Sequence, residues 1–189
     1  QQHHFWEEAA QEGPVPPERG RRLLRELRTL SRGLPLHWGS SIAVRVDEDR
    51  PHLLKAMILA PGGTPYDSGA FLFDIYCPPQ YPTYPPRFNL VTTGRGTVRF
   101  NPNLYECGKV CLSLLGTWWG ELKEMNWSSD ASLLQVLLAI QTLRVATLQW
   151  AMADVLRSPP RGFEELLQQH FWRKRLHLLR VGQAWVAEA

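Results

Sequence analysis

The sequence predicts an α+β fold, on three observations. A leucine pattern of helical period comes first, four short strand-like runs divided by turn signals follow, and helical patterns return after a long aperiodic stretch. The chain has 189 residues, which suits one domain with a modest extension. Its 44% hydrophobic and 21% charged residues are ordinary for a globular protein.

Each element follows from its residues. Residues 1–17 mix Trp, Glu and Pro and read as an irregular segment. From Glu18 to Arg32, Leu23, Leu24, Leu27 and Leu30 form an apolar stripe, flanked by Arg21, Arg22, Arg25 and Arg28. Gly33 and Pro35 end that helix. The strand-like runs are Ile42–Val46, Leu53–Leu59, Phe71–Tyr76 and Arg87–Thr92, and the short turns between them predict an antiparallel meander. Residues 94–127 are rich in Gly, Asn and Trp and show no period; irregular stretches of this length are usually functional. A buried helix is expected from Ser128 to Leu143, capped by Ser128, Ser129 or Asp130. The remainder to Ala189 reads as mostly helical, broken at Ser158-Pro159-Pro160. The expected division is therefore an N-terminal segment at 1–17, a core at 18–143 and a C-terminal helical extension at 144–189.

Several function classes drop out on composition. A net charge of +3 is too small and too mixed to argue for nucleic acid. No apolar run approaches the ~18 residues of a membrane span. The start, Gln1-Gln2-His3-His4, has no signal-peptide pattern and no Met, and reads as part of a longer protein. His3-His4 is expected to be tag or tail. Three unevenly spaced cysteines, Cys77, Cys107 and Cys111, argue against a disulfide framework and for a reducing compartment, cytoplasmic or nuclear. With no Cys-x-x-Cys and no paired His downstream of the cysteines, no metal is expected, and no cofactor.

The chemistry concentrates in the aperiodic stretch: Asn101-Pro102-Asn103, then Gly108-Lys109-Val110-Cys111-Leu112-Ser113-Leu114. A Cys in an exposed loop, next to Lys109 and Val110, is a candidate reactive thiol. No His base stands nearby in sequence, as a protease would need. An acyl carrier does not need one, and a side-chain amide such as Asn103 could stabilise an oxyanion. A buried core cysteine is the commoner fate of a free Cys, and on these residues alone both readings stand. A redox pairing of Cys107 with Cys111 is the weaker alternative.

The surrounding motifs decide between them. Thr64-Pro65-Tyr66-Asp67-Ser68-Gly69, Tyr81-Pro82-Thr83-Tyr84-Pro85-Pro86, Asn101-Pro102-Asn103 and, eight positions on, Cys111 occur in one order at one set of separations. This resembles the ubiquitin-conjugating enzyme family, over roughly residues 20–143. The resemblance implies the UBC fold, with Cys111 as thioester nucleophile, Asn103 as oxyanion stabiliser, and Asn101, Pro102, Leu112 and Ser113 supporting the site. It implies ubiquitin, a ubiquitin-activating enzyme and protein substrates as partners, with Arg21, Arg22 and Arg25 facing the activating enzyme, and ATP used by that enzyme only. Residues 97–105, 108–118 and 169–171, with the insertion from about Gly116 to Asn126, are most similar to the large hybrid members, which combine conjugating and ligating activity and imply transfer without a separate ligase. The alternative is an inactive variant that only binds ubiquitin.

Departures from the family pattern are as informative. Asn101 replaces the usual His, and Ser113 the usual acid two places after the Cys. Thr83 and Ser128-Ser129-Asp130 stand where ligases grip the minimal enzymes. A cis peptide is expected at Tyr81-Pro82 in its tight turn. Trp118 and Trp119 are either exposed aromatics or lids on the core. The family's Asn/Pro-rich loop after the second long helix is missing between Gln141 and Val145; either it is deleted or the chain is discontinuous between Leu143 and Arg144, and a discontinuity is expected, since one capless helix from Ser132 to Leu156 would be unusually long.

Overall fold

A computed structural model describes residues 2–37, 40–60, 69–100, 102–117, 126–142 and 162–173. Expectations for Thr64–Ser68, Asn101, Trp118, Trp119 and the Leu143–Arg144 junction lie outside them. The elements run α1 (Trp6–Ala10), α2 (Pro17–Gly33), β1 (Leu36–His37), β2 (Ser40–Val46), β3 (Leu53–Leu59), β4 (Ala70–Tyr76), β5 (Arg87–Leu90), a 3-10 turn (Ser113–Leu115) and α3 (Leu133–Thr142). Residues 164–173 are also helical.

The sheet is the expected antiparallel meander, in the order β1-β2-β3-β4-β5. It has five strands rather than four, because Leu36 and His37 pair with Ser41 and Ser40 as a two-residue edge that carries no periodicity of its own. Residues on one strand alternate between faces. Leu54, Ala56 and Ile58 of β3, with Phe71, Phe73 and Ile75 of β4, join the core that also contains Leu23 and Leu30 of α2 and Leu133, Val136, Leu137 and Ile140 of α3. The opposite face is covered too. Met57, Leu59, Ala70 and Leu72 pack with Phe163, Leu167 and Phe171, while Leu53 and Tyr76 pack with Phe5 and Ala9. Every residue of β4 is consequently buried.

The N-terminal segment is therefore structural rather than an irregular tail. His3 Nε2 lies 3.0 Å from the carbonyl of Leu54, and the His4 amide donates to Asp74 Oδ2 at 2.7 Å. Phe5 stacks on Tyr76 at a ring separation of 5.6 Å. These bonds correct the reading of His3-His4 as tag or tail. Asp74, a carboxylate on the sheet's second face, is also bonded by Lys55 Nζ at 2.5 Å, so the one acid in the middle of β4 is satisfied.

Helix α2 starts with Pro17 in its first turn, where a missing N–H costs nothing. Its buried stripe is Arg19, Leu23, Glu26 and Leu30, not the four leucines; Leu24 is 59% exposed. Two charges replace expected apolar positions because each has partners. Arg19 bonds Glu12 and the Cys77 carbonyl. Glu26 Oε1 accepts from Arg22 Nε at 2.8 Å and Tyr81 Oη at 2.7 Å, while its Oε2 accepts from the Leu133 amide at 3.0 Å. Burial first, then the Cys77 and Glu26 neighbours, push the Tyr81 hydroxyl far above the usual phenol range, so it stays protonated as a donor.

Helix α3 begins later than expected. Ser128 to Ala131 form a turn, closed by Ala131 N–H to the Ser128 carbonyl at 3.0 Å. Ser132 is the true cap: its Oγ accepts from the Gln135 amide at 3.3 Å, and Gln135 Oε1 accepts from the Ser132 amide at 2.9 Å. This reciprocal capping box was available in Ser132-x-x-Gln135, but three other cap residues preceded it. The Tyr81-Pro82 peptide is cis. Trp127 Nε1 donates to the Pro82 carbonyl at 2.7 Å, tying the chain entering α3 to that turn.

Glu26→Ala strands Arg22, Tyr81 and the Leu133 amide, and should cost about 3–5 kcal/mol in urea denaturation. Stability should also fall in mild acid. Burial, only partly offset by Asp74, holds His3 below its ordinary value of 6.5; burial and then Arg19, against Glu12 and Asp47 and with Arg50, do the same for His52. Below 6.5 the unfolded chain takes up protons that the folded one resists, so stability is full above that pH and is lost as pH falls toward the folded values. Burial raises Glu12, but bonds from Arg19 and Tyr76 outweigh it and hold its carboxyl below 4.5, so further stability is lost at lower pH. Denaturation at about pH 8 and about pH 5.5 should show this slope, and a His3→Gln/His52→Gln variant should flatten it.

Candidate active site

The chain leaves β5 and re-enters the core at Phe100, which packs edge-on against Phe71 with ring centroids 5.2 Å apart. Leu104 and Val110 then form an antiparallel bridge, and Lys109 bridges to Asn89 of β5. Between them the chain reverses: the Gly108 amide donates to the Tyr105 carbonyl, and the Tyr105 amide to the Lys109 carbonyl, both at 3.0 Å. Gly108 makes this possible. Its φ is +87°, and a Cβ there would stand 2.3 Å from Asn89 Oδ1 and 2.8 Å from the Leu90 carbonyl. The Leu90 amide closes the junction by donating to the Gly108 carbonyl at 2.8 Å. The loop is thus docked on the sheet edge by main-chain bonds.

Cys111 follows directly. Its amide donates to the Asn103 carbonyl at 2.8 Å, and its own carbonyl accepts from Asn103 Nδ2, also at 2.8 Å. The two principal candidates are therefore locked together through both backbone polar groups of the cysteine. Pro102 is exposed, and its carbonyl accepts from Arg99 Nη2 at 3.0 Å. Leu112 is buried, and Ser113 opens the 3-10 turn that carries the chain away. The guanidinium of Arg99 lies 4.0 Å from the Tyr105 ring centre, and Lys109 Nζ lies 5.8 Å from it. Positive charge therefore flanks the loop.

Burial differs from expectation. Cys111 is 3% exposed, whereas Cys107 is exposed; the loop is docked rather than open. Cys77 lies in the main core, where burial pushes its thiol far above the usual range. Asn101 lies outside the described residues. Of the arginines, Arg21 and Arg25 are exposed on α2. Arg22 is not a simple surface charge: besides Glu26 it bonds the carbonyls of Ser129 at 2.7 Å and Ala131 at 2.5 Å.

Sequence reasoning missed Thr117. Its hydroxyl accepts from the Leu112 amide at 2.9 Å and donates to the Val110 carbonyl at 2.8 Å. No periodicity marks it, because it lies in irregular chain and acts across a turn. Among the described residues no group of three or more His, Cys, Asp or Glu is placed to hold a metal ion, and no helix is long and apolar enough to cross a membrane.

The family model for ubiquitin-conjugating enzyme matches residues 22–170. A mouse protein, the dual E2 ubiquitin-conjugating enzyme/E3 ubiquitin-protein ligase BIRC6, is 40% identical over 203 residues, covering 90% of this chain and 4% of its own length. The probable ubiquitin-conjugating enzyme protein 17 of Caenorhabditis elegans is 38% identical over 218 residues, covering 96% of this chain and 30% of its own. This chain therefore spans a minor part of those relatives. The structure of human ubiquitin-conjugating enzyme E2 G1 is similar in fold, with a TM-score of 0.55 at 23% identity over 69% of this chain and 96% of that one. A Plasmodium falciparum ubiquitin-conjugating enzyme E2 gives 0.54 at 18% identity, over 67% and 98%. With the family model spanning most of its length and the sheet, helices and docked loop arranged as described, this chain belongs to the ubiquitin-conjugating enzyme family.

Proposed function

We propose that this chain receives ubiquitin from a ubiquitin-activating enzyme as a thioester on Cys111 and passes it to lysines of protein substrates. The observation that carries this reading is the pair of 2.8 Å hydrogen bonds between Cys111 and Asn103, eight residues apart in the family motif: the Cys111 amide donates to the Asn103 carbonyl, and Asn103 Nδ2 donates to the Cys111 carbonyl. In the first step the Cys111 thiolate attacks the ubiquitin C-terminal carbonyl carbon, and the activating enzyme's thiolate leaves. In the second, a lysine amine attacks the new thioester, the carbonyl oxygen becomes an oxyanion, and collapse expels the Cys111 thiolate. The amine's proton passes to the departing thiolate or to solvent, leaving an isopeptide bond.

Asn103 is assigned the oxyanion, since its amide nitrogen already addresses the nucleophile's own residue. Because Cys111 is 3% exposed, the reading requires that the donor reach a largely buried residue. The same low exposure is what favours the second reading, a chain that binds ubiquitin and transfers none. The 40% identity to a protein named as both conjugating enzyme and ligase supports transfer without a separate ligase. On this reading Arg21 and Arg25 remain available to an activating enzyme, whereas Arg22 serves the fold. No cofactor enters either step, ATP being used by the activating enzyme. A cytoplasmic or nuclear setting suits three free cysteines.

With activating enzyme, ATP and ubiquitin, the wild-type chain should form an adduct that thiol reductants remove. Cys111→Ser should give only a reductant-stable ester or nothing, and Cys111→Ala should give none; normal charging of Cys111→Ala would sink the assignment. Asn103→Ala should charge nearly as well as wild type but discharge to lysine on the order of 10²-fold more slowly. Equal losses in both steps would mean that Asn103 only holds the loop.

A further inference from the structure

We propose that Thr117 is a positioning residue for the transfer step, holding the main chain on both sides of Cys111; this rests on the reading of Cys111 as nucleophile. Three successive residues, Val110, Cys111 and Leu112, are all buried. Their backbone polar groups need partners from the protein, since water does not reach them freely. Asn103 supplies both partners for Cys111 itself. Thr117 supplies the groups that flank it, from the opposite direction in sequence.

The hydroxyl is matched to that task. It has one proton and two lone pairs. The Leu112 amide donates to Oγ1 at 2.9 Å. Two carbonyls compete for the single proton, that of Val110 at 2.8 Å and that of Leu112 at 3.3 Å, and the shorter contact takes it. One hydroxyl thereby ties residue 110 to residue 112 and fixes the backbone directions that set where Sγ points.

Local structure brings Thr117 back to this place. The 3-10 turn Ser113–Leu115 ends at Gly116, whose φ of +64° reverses the chain. The Gly116 amide donates to the Ser113 carbonyl at 2.8 Å, and the Thr117 amide to the Leu112 carbonyl at 3.2 Å. The turn is closed by its own backbone, so the hydroxyl is not required to form it. What the hydroxyl adds is contact with the residues beside the nucleophile. A residue with that contact acts on transfer geometry through Cys111 and its alignment with Asn103, and touches neither ubiquitin nor lysine.

The test is single-turnover discharge of preformed ubiquitin adduct to free lysine, for wild type, Thr117→Val, Thr117→Ser, Asn103→Ala and the Thr117→Val/Asn103→Ala double variant. Thr117→Val keeps the shape and loses the hydroxyl; it should discharge roughly 10- to 100-fold more slowly, the scale of a small misplacement of reacting groups. Thr117→Ser should restore most of the rate. If Thr117 acts by aligning the thioester with Asn103, the double variant should be little slower than Asn103→Ala alone. Wild-type discharge by Thr117→Val, or independent and fully additive losses, would overturn the positioning role while leaving Cys111-dependent charging standing. Failure of the wild-type chain to charge at all would overturn both. Should Thr117→Val not fold, amide hydrogen exchange on the wild-type chain decides: the Leu112 amide should be protected about as well as that of Cys111, and free exchange at Leu112 would refute the brace.

Discussion

The carboxylate of Glu26 sits where α2, the turn at Tyr81 and the start of α3 meet, and its two oxygens serve all three. A buried carboxylate costs several kcal/mol in desolvation unless its partners are well placed. Here one oxygen takes Arg22 and Tyr81, and the other takes the first amide of α3, where the helix dipole itself favours an anion. Arg22 extends the arrangement by bonding the carbonyls of Ser129 and Ala131 in the turn before α3. The chain that returns from the cysteine loop is thereby fastened to α2. The same loop is fastened at its other end to β5, through Gly108, Lys109 and Asn89. Cys111 lies in the stretch between these two fastenings, where Asn103 and Thr117 hold the main chain around it.

The sheet carries a second layer on the face away from α2 and α3. Phe163, Leu167 and Phe171 cover one part of it, and Phe5 and Ala9 another. Polar residues on that face are matched locally: Asp74 with Lys55 and the His4 amide, and Glu12 with Arg19 and Tyr76. A strand such as β4, apolar on both sides, has no solvent face to protect and gains stabilisation from both layers. The N-terminal segment thus contributes to the core even though it lies before the start of the family match at residue 22.

Much of this was legible in the sequence. The meander was, because Leu53–Leu59 and Phe71–Tyr76 have strand composition and clear turn boundaries. Asn103 and Cys111 stand out in the sequence only through the resemblance to the family motif, and the two hydrogen bonds between them carry no sequence signal. What escaped had no periodic signal. Arg19 and Glu26 occupy apolar positions of a helical stripe, and partners 4 to 107 residues away explain them. The helix at Trp6–Ala10 is one turn long and is held by tertiary contacts with Tyr76, not by propensity. Ser132 does not stand out as a cap in the sequence, because Ser128, Ser129 and Asp130 offer the same side-chain chemistry. Thr117 and the burial of Cys111 depend on how an irregular loop folds back, which residue patterns do not encode.

On the proposed function, among three cysteines with different surroundings, the one clamped by Asn103 carries ubiquitin. Exposure alone would favour Cys107, which is open to solvent while Cys111 is not. The most direct measurement is peptide mapping by mass spectrometry of the charged wild-type chain. The thioester is trapped at low pH, and the free cysteines are alkylated before digestion. Cys77 and Cys107 should be recovered alkylated, with Cys111 protected by the ubiquitin C-terminus. Ubiquitin recovered on Cys107, with Cys111 alkylated, would contradict the proposed function.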